Sequence, residues 1–351
     1  MNKVRVELGP RSYDIVIGNG VLNEIKNDKR TLAVMDSNVK GLHEKTVLSA
    51  LNTNEVFSFP AGESSKSPET AINICRHAAQ LNFDRKCRFA AAGGGVTGDL
   101  TGFAAAIYMR GIEFIQIPTT LLAAVDSSVG GKTGADTPEG KNLIGAFHQP
   151  SAVYIDTDLL MTLPPIELGN GLAEIVKTAV ILDSELFAKL EENPAHLNTT
   201  GAFQTRYPDI ITRCCELKGM IVSEDEKESG RRTILNYGHT FGHAVELLSN
   251  YTLPHGQAVA IGMAAAGALA VMLGVWKQED LKRQNQLLAA LDLPVKVPSG
   301  YSTSDLVAAM RRDKKNQNGV IRTVLCSAIG SALLPVDAGE KDLAAAWEKI
   351  R

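Results

Sequence analysis

The sequence predicts an α/β domain in the first part of the chain and a mainly helical domain in the second. Up to about residue 160, short apolar runs alternate with helix-like stretches, the pattern of parallel strands covered on both faces. From about residue 161, apolar residues recur at helical spacing instead. A chain of 351 residues is long for one core, so we expect two domains, 1–160 and 161–351.

The elements can be assigned in order. In the first domain the predicted strands are Val4–Leu8, Tyr13–Ile17, Thr31–Met35, Glu55–Phe59, Arg88–Ala92, Glu113–Ile117 and Ala152–Ile155. In the second, helical periodicity covers 165–190, 202–221, 236–249, 257–275, 278–291 and 303–313. There the extended segments are Ile321–Leu325 and Ala332–Pro335.

Composition excludes several classes of protein. A net charge of -3 argues against general nucleic-acid binding, which needs a basic face. The five cysteines form no CxxC pair, which indicates reduced thiols and a cytoplasmic location. The N-terminus lacks the apolar core of a signal peptide. Ala258–Trp276 carries no charge but is mostly Ala and Gly, so we expect a buried helix rather than a membrane span.

A glycine-rich loop follows the strand predicted at Arg88–Ala92. Its spacing, Gly93-x-Gly95-x-x-Gly98, lets a backbone approach a pyrophosphate at a helix N-terminus. The acidic residue usual about twenty positions later is missing; Asp36, after the strand Thr31–Met35, could hold a ribose hydroxyl instead. The loop alone leaves a phosphate site and a structural tight turn equally open.

A second glycine-containing segment, Asp126-Ser-Ser-Val-Gly-Gly-Lys132-Thr133, invites comparison with the phosphate-binding loop of nucleotide triphosphatases. It does not match GxxxxGK[ST], because Asp126 stands where the first glycine is required. It also follows a helix-like stretch rather than a strand. The sequence therefore argues against a nucleotide triphosphatase.

Histidines cluster in the second domain. Three of the seven lie within 239–255, and His239 and His243 stand four apart, on one face of a helix. With a carboxylate, two imidazoles make a divalent-metal site that leaves a position for substrate. Spacing leaves two histidine pairs open: His239 with His243, or His239 with His255 while His243 serves the substrate.

Glu174 is the candidate carboxylate. It stands three residues before Lys177 on a predicted helix whose other residues are nearly all apolar. Such a pair is usually a surface ion pair. Because the neighbouring residues predict burial, and a buried carboxylate needs a cation, we favour a functional role.

Several basic residues stand beside glycine, asparagine or other polar positions. Taken singly, each is most simply a solvated surface charge. Together they could hold a substrate with two anionic ends. They are Arg110, Lys132, Lys141, Lys177, Lys218, Arg232, Lys314 and Lys315.

Longer motifs connect these candidates. They are Gly93-Gly-Gly-Val-Thr-Gly-Asp99, Tyr108-Met-Arg110-Gly, Pro118-Thr-Thr-Leu-Leu-Ala-Ala-Val-Asp126 through Lys132-Thr-Gly, Gly140-Lys141-Asn142 through Pro150, Glu174-Ile-Val-Lys177, Arg232 through His243, His255-Gly and Asp313-Lys-Lys. In these motifs, which span nearly the whole chain, the sequence resembles the 3-dehydroquinate synthase family. The final 25 or so residues carry no motif of the family.

The resemblance implies an N-terminal Rossmann-like NAD-binding domain and a C-terminal all-helical domain that binds one divalent metal, zinc or cobalt. It implies a carbon–oxygen lyase of the shikimate pathway that converts 3-deoxy-D-arabino-heptulosonate 7-phosphate to 3-dehydroquinate and phosphate. NAD is used and regenerated. A homodimer is also implied, with no membrane or nucleic-acid partner.

The resemblance also assigns residues. It implies the metal ligands Glu174, His239 and His255, which leaves His243 for the substrate. Catalytic and substrate-binding positions are Lys132, Lys177, Arg232, Asn236, His243, Arg110, Asp126, Asn142 and Lys218, with one of Lys314 and Lys315. Cofactor-binding positions are Asp36, Asn38, Glu63, Lys66, Gly94, Gly95, Asp99, Thr119, Thr120, Leu122, Lys132, Lys141, Thr162 and Glu167.

Three alternatives remain. A polyol dehydrogenase related to glycerol dehydrogenase would share the plan but would not need so many anion-binding cations. A cyclase that makes an inosose or a valiolone is expected to alter positions matching Asn236 or His243, which this chain keeps. A non-catalytic NAD-binding regulator would not need the metal ligands.

Overall fold

The computed structural model describes residues 1–199, 201–311 and 321–351. In chain order the strands are β1 Asn2–Val6, β2 Tyr13–Gly18, β3 Thr31–Asp36, β4 Val56–Phe59, β5 Arg88–Gly93, β6 Glu113–Pro118, β7 Lys132–Thr137, β8 Gly140–Phe147, β9 Ala152–Asp156, β10 Ile321–Thr323, β11 Cys326–Ala328, β12 Ser331–Ala332 and β13 Val336–Ala338. Lys314 and Lys315 lie outside the described residues.

The helices are α1 Ser37–Leu51, α2 Pro68–Gln80, α3 Gly95–Ile107, α4 Pro165–Leu182, α5 Ser184–Glu192, α6 Pro194–Leu197, α7 Ala202–Thr205, α8 Tyr207–Glu224, α9 His239–Leu248, α10 His255–Met272, α11 Gln278–Ala290, α12 Thr303–Arg311 and α13 Glu340–Lys349. They belong to two compact units. The first comprises Met1–Pro164 and Thr200–Lys227, and the second Pro165–Thr199 and Glu228–Arg351.

The first unit is built on a sheet of strand order β1-β2-β9-β6-β5-β3-β4. Strands β1 and β2 are antiparallel, and the other neighbouring pairs are parallel. Alternate residues of β3 show why these runs are apolar throughout. Leu32 and Val34 join the core on one face, and Ala33 and Met35 join the core on the other. The predicted α/β class is confirmed.

The chain order of the sheet creates a switch point. From β3 the chain passes to β4 on one side and then crosses to β5, which pairs with the opposite side of β3. In open parallel sheets, ligands bind beyond the carboxyl ends of the strands at such a point. Here the glycine-rich segment runs from Gly93, the last residue of β5, into the first turn of α3, and Asp36 ends β3.

The first unit also contains elements that the sequence did not reveal. The antiparallel hairpin of β7 and β8 was not predicted. Helix α8 belongs to this unit although it follows a helical segment of the other one. It packs on β1, where the Asn2 side-chain amide donates to Thr212 Oγ1 at 3.0 Å.

The second unit is largely helical, as predicted, although the short strand pairs β10–β13 and β11–β12 make it less than all-helical. The helical stretch predicted at 165–190 is interrupted at Asp183, whose carboxylate caps α5 by accepting from the amides of Glu185 and Leu186, both at 3.0 Å.

Helix α10 lies at the centre of the second unit. It is long and apolar enough to cross a membrane by length and composition, but 78% of the 18-residue window is buried within the fold. This burial agrees with the core helix that its Ala- and Gly-rich composition predicts.

Candidate active site

Two imidazoles and a carboxylate come together from three helices of the second unit. Glu174 lies in α4, His239 begins α9 and His255 begins α10. The Nε2 atoms of His239 and His255 lie 3.4 and 3.3 Å from Glu174 Oε1. One potential ligand atom from each residue lies within 4.8 Å of the others, a grouping that could hold a metal ion.

The opposite nitrogen of each ring has its own hydrogen-bond partner. Nδ1 of His239 lies 3.1 Å from the backbone carbonyl oxygen of Tyr237, and Nδ1 of His255 lies 2.9 Å from Glu246 Oε1. Because both partners are acceptors, they favour the tautomer with hydrogen on Nδ1. Both Nε2 atoms then face Glu174, the orientation that metal-binding histidines need.

Close helix packing places these residues. The backbone of Gly238 adopts φ 77°, and a Cβ there would lie 2.7 Å from Met263 Cγ in α10. A Cβ at Gly262 would lie 2.6 Å from the amide nitrogen of Gly242. Only glycine therefore allows α9 to approach α10 so closely, and this approach brings His239 near His255.

A further close approach joins α10 to α4. The Asn170 side-chain carbonyl accepts from the amide of Gly256 at 2.7 Å. A Cβ at Gly256 would lie 2.8 Å from the carbonyl oxygen of Gly169. This contact fixes His255 relative to the helix that carries Glu174.

The electrostatics of the cluster favour an ionised carboxylate. Glu174 is 1% exposed and forms an ion pair with Lys177, which is 2% exposed. Burial opposes ionisation, but the Lys177 ammonium and the hydrogen bond from His255 hold the pKa of Glu174 well below its usual range.

The two imidazoles are perturbed in opposite directions. Burial lowers the pKa of His239 well below its ordinary value, so this ring is neutral. Burial also disfavours the charged form of His255, but its hydrogen bonds to Glu174 and Glu246 raise its pKa to about 10.

Four further predicted residues belong to the second unit, namely Glu167, Arg232, Asn236 and His243. The ring of His243 lies 5.4 Å from that of His239 between centroids, at an interplanar angle of 88°. Arg232 is 2% exposed, and Asn236 donates to Glu228 Oε1 at 2.7 Å. Glu167, a predicted cofactor residue, accepts from the Asn170 amide at 3.1 Å.

In the first unit, three predicted cofactor residues, Asp36, Asn38 and Thr119, lie where the loops after neighbouring strands meet. Asp36 accepts from the amides of Asn38 and Val39 at 2.9 and 3.1 Å, and thereby caps α1. Its other oxygen accepts from Thr97 Oγ1 at 3.3 Å. The amide of Thr119 donates to the Gly93 carbonyl oxygen at 3.0 Å, so the loops after β3, β5 and β6 meet here.

Glycines keep this region narrow. Gly94 caps α3 and Gly95 begins it. A Cβ at Gly94 would lie 3.0 Å from Thr120 Cγ2, and a Cβ at Gly95 would lie 3.2 Å from Ser127 Oγ. A Cβ at Gly98 would lie 2.6 Å from Gln116 Oε1 in β6. These glycines serve close backbone approach and helix–strand packing, as in dinucleotide-binding loops.

A chain of polar contacts joins the β7–β8 hairpin to α3. Lys66 Nζ lies 2.6 Å from Asp99 Oδ2, and the carbonyl oxygen of Lys66 accepts from the Asp136 amide at 2.7 Å. Asp136 Oδ1 accepts in turn from the amide of Asn142 at 2.7 Å. A second bridge joins Lys141 to Glu63 at 3.4 Å.

The remaining predicted positions of the first unit are spread over it. Asp126 accepts from Lys218 of α8 through its carbonyl oxygen at 2.6 Å and also through its carboxylate. Thr162 contacts His43 Nε2 at 2.8 Å. Arg110, with φ 68°, and Lys132 are exposed, and Leu122 is half-buried.

Glu246 and Asn170 were not predicted from the sequence. Glu246 had a detectable signal, because it stands seven residues after His239 and three after His243 in an otherwise apolar helix. Asn170 had none, since its role depends on the approach of a helix 86 residues away.

The chain is similar to known proteins over most of its length. A family profile described as the 3-dehydroquinate synthase N-terminal domain matches residues 56–170, and one described as the C-terminal domain matches residues 171–316. The chain belongs to the 3-dehydroquinate synthase family. The relatives named 3-dehydroquinate synthase include those of Nostoc punctiforme, 45% identical over 93% of each chain, and Desulforamulus reducens, 43% identical over 98% and 99%.

Solved structures are similar over the same length. A 2-deoxy-scyllo-inosose synthase complexed with carbaglucose-6-phosphate, NAD+ and Co2+ covers all of both chains at 26% identity, with a TM-score of 0.90. The 2-epi-5-epi-valiolone synthase of Streptomyces hygroscopicus, with NAD+ and Zn2+ bound, covers 98% of this chain and 97% of its own, at 30% identity and a TM-score of 0.86. A probable glycerol dehydrogenase from Sinorhizobium meliloti, 13% identical with a TM-score of 0.68, shares the fold.

Proposed function

We propose that this member of the 3-dehydroquinate synthase family converts 3-deoxy-D-arabino-heptulosonate 7-phosphate to 3-dehydroquinate and phosphate. The reaction proceeds by transient oxidation, phosphate elimination, re-reduction, ring opening and intramolecular aldol closure. The observation that carries the proposal is the Glu174, His239 and His255 cluster with both imidazoles oriented by Nδ1 acceptors, in a chain whose full-length relatives are 3-dehydroquinate synthases.

The donor set of the cluster fits a divalent metal. Two imidazole nitrogens and one carboxylate oxygen suit zinc or cobalt and leave coordination positions for substrate oxygens. In the first unit, the Gly94–Gly95 loop at the start of α3 and Asp36 at the switch point fit NAD. When bound, the metal supplies Lewis acidity to a substrate hydroxyl, and NAD supplies a reversible hydride acceptor.

The chain's own residues prepare the second unit for an anionic substrate. Lys177 keeps Glu174 ionised, so the carboxylate is ready to act as a ligand. Lys177 and Arg232 are both almost fully buried, and a buried cation interacts with phosphate or carboxylate much more strongly than an exposed one. Glu228 orients the Asn236 amide, which we assign to the substrate together with His243.

The remaining site roles are proposed from the resemblance. Substrate contacts are assigned to Arg110, Asp126, Lys132, Asn142 and Lys218. NAD contacts are assigned to Asp36, Asn38, Glu63, Lys66, Gly94, Gly95, Asp99, Thr119, Thr120, Leu122, Lys132, Lys141, Thr162 and Glu167. We also propose a cytoplasmic homodimer, which light scattering of the purified protein tests.

The activity is tested by incubating the pure protein with the heptulosonate phosphate, NAD and zinc or cobalt. We expect phosphate release without net NADH, because the hydride is returned. NADH accumulation would instead indicate a polyol dehydrogenase. Absence of metal-dependent turnover of any substrate would leave a regulator.

The ligand set is tested separately by metal analysis of purified variants. Glu174→Gln and His255→Ala should lose the metal, whereas His243→Ala should retain it and impair turnover. Metal loss on changing His243 alone would restore the His239 and His243 pair.

A further inference from the structure

A carboxylate stands behind one of the two proposed metal-binding imidazoles. Glu246 lies in the last turns of α9, is 6% exposed, and places Oε1 2.9 Å from Nδ1 of His255. His239, His243 and Glu246 occupy positions i, i+4 and i+7 of α9 and therefore share one face of the helix. This face turns two imidazoles and one carboxylate toward the same region.

The contact determines what His255 can do with its other nitrogen. A carboxylate acts only as an acceptor, so Nδ1 must carry the hydrogen. The Nε2 atom faces Glu174 Oε1, 3.3 Å away, and is the ring nitrogen left to bind a metal. Without the carboxylate, the ring could rotate or adopt the other tautomer.

The backbone holds Glu246 firmly relative to His255. Its carbonyl oxygen accepts from the amide of Tyr251 and from Ser249 Oγ, both at 2.8 Å. Ser249 Oγ also accepts from the amide of Leu253 at 3.3 Å. These bonds order the short segment between α9 and α10, so the carboxylate and the imidazole are both held in place.

The two imidazoles are supported differently. His239 faces the neutral backbone carbonyl of Tyr237, whereas His255 faces an ionisable side chain. A side chain can be removed by mutation, and a carboxylate behind a ligating histidine orients the ring and strengthens it as a ligand. His255 is therefore the ligand whose support can be tested.

We propose that Glu246 is a positioning residue that holds His255 in its metal-binding orientation and strengthens metal binding. This inference rests on the metal centre of the proposed function. The competing role is mechanical, in which the Glu246–His255 contact only joins the end of α9 to the start of α10. The two roles differ in whether metal affinity depends on the carboxylate once the protein is folded.

The experiment compares Glu246→Gln and Glu246→Ala with the wild type and with Glu191→Gln. Glu191 is a matched control in the same unit, where it pairs with Arg283 at 3.1 Å rather than with a proposed ligand. Zinc dissociation constants are measured by competition with a chromogenic chelator, without substrate or NAD. The visible spectrum of the Co2+-loaded proteins reports the coordination geometry.

We expect the alanine variant to bind zinc about 100-fold more weakly and to show an altered Co2+ spectrum. The glutamine variant should bind about 10-fold more weakly, because its amide oxygen still accepts from Nδ1 but carries no charge. The control should match the wild type. Thermal unfolding in EDTA establishes that each metal-free variant is folded.

The outcomes separate this inference from the function on which it rests. If the wild type binds no divalent metal, the proposed metal centre fails, and the role of Glu246 fails with it. If the wild type binds zinc and the folded Glu246 variants bind it equally well, only the positioning role is overturned. If the alanine variant does not fold, the glutamine variant alone decides. The inference is then overturned if that variant has the zinc affinity and the Co2+ spectrum of the wild type.

Discussion

The buried ion pair of Glu174 and Lys177 gives a prediction that needs neither substrate nor cofactor. Both side chains are almost fully buried and lie three residues apart on α4. In the metal-free protein the carboxylate therefore depends on Lys177 and the neighbouring imidazoles for its stability. Replacing Lys177 by Met removes the charge while keeping most of the side-chain length.

The expected cost follows from this environment. Removing one partner of a buried pair generally costs about 3 to 5 kcal/mol, because the other charge is left buried. Here Lys177→Met should lie near the lower end, at about 3 kcal/mol. The reason is that His255, with its pKa raised to about 10, stays protonated beside the carboxylate in the metal-free protein.

The double variant decides whether the charges are coupled. Glu174→Gln alone leaves the Lys177 ammonium buried, so it should also cost about 3 kcal/mol. The variant with both substitutions buries neither charge, so its cost should not exceed that of one single variant and should lie well below the sum. The predicted coupling energy is thus at least about 3 kcal/mol.

Urea unfolding followed by circular dichroism, with EDTA present, measures the four free energies. The unfolding slopes should be equal, so that midpoints report stability. If the two single costs add to within about 0.5 kcal/mol in the double variant, the charges are not coupled and the electrostatic account of this cluster is wrong.

Three further predictions concern packing, capping and metal binding. Gly262→Ala should lower the free energy of unfolding by about 1 to 3 kcal/mol, because its Cβ would collide with the backbone of Gly242. Gly41 lies in an exposed part of α1 with open space around it, so Gly41→Ala should instead raise the free energy of unfolding by up to about 1 kcal/mol. Equal melting temperatures of the two variants would contradict the packing argument. Asp36→Ala should lower the free energy of unfolding by about 1 kcal/mol because the cap of α1 is lost, whereas Asp36→Asn keeps a capping oxygen and should not. Calorimetric titration should show weaker NAD binding at least for the alanine variant. Equal stability of the two variants would argue against the capping role. Zinc at 100 times its dissociation constant should add about 2.7 kcal/mol to the free energy of unfolding, and an unchanged melting curve would count against a metal site in the folded state.

The strands of the central sheet were predictable because burial on both faces leaves a continuous apolar signal. Each predicted run overlaps a strand. Strands β2, β3, β5, β6 and β9 extend one residue beyond the prediction at their carboxyl ends, β4 begins one residue later, and β1 lies two residues earlier. The hairpin of β7 and β8 carried no such signal. Most of β8 is exposed, and its sequence mixes glycine, charged and apolar residues without alternation.

The return of residues 200–227 to the first unit could not be predicted for a different reason. Helical periodicity shows that α8 has an apolar face, but not which core that face covers. The structure resolves this through Gly219, where a Cβ would lie 3.3 Å from Val6 Cγ2 in β1. A contact between residues so far apart in the chain leaves no local trace in the sequence.

The metal cluster is a second case in which local sequence spacing does not reveal a contact between distant residues. Four-residue spacing tests whether two side chains share one helix face, and His239 and His243 do. It says nothing about a residue that begins the next helix. His255 lies beside His239 because the chain turns through the segment after α9 and because the two helices approach closely.

That approach is encoded in residues that have no ligand chemistry. Gly238 turns the chain at φ 77° so that His239 becomes the first residue of α9. Gly242 and Gly262 then let the two backbones pass at a distance that any side chain would prevent. The histidines identify which chemistry the chain can support, whereas the glycines determine which of those histidines meet Glu174. Spacing rules that consider only the ligands therefore leave the choice open, and the information that decides it lies in the packing of α9 against α10.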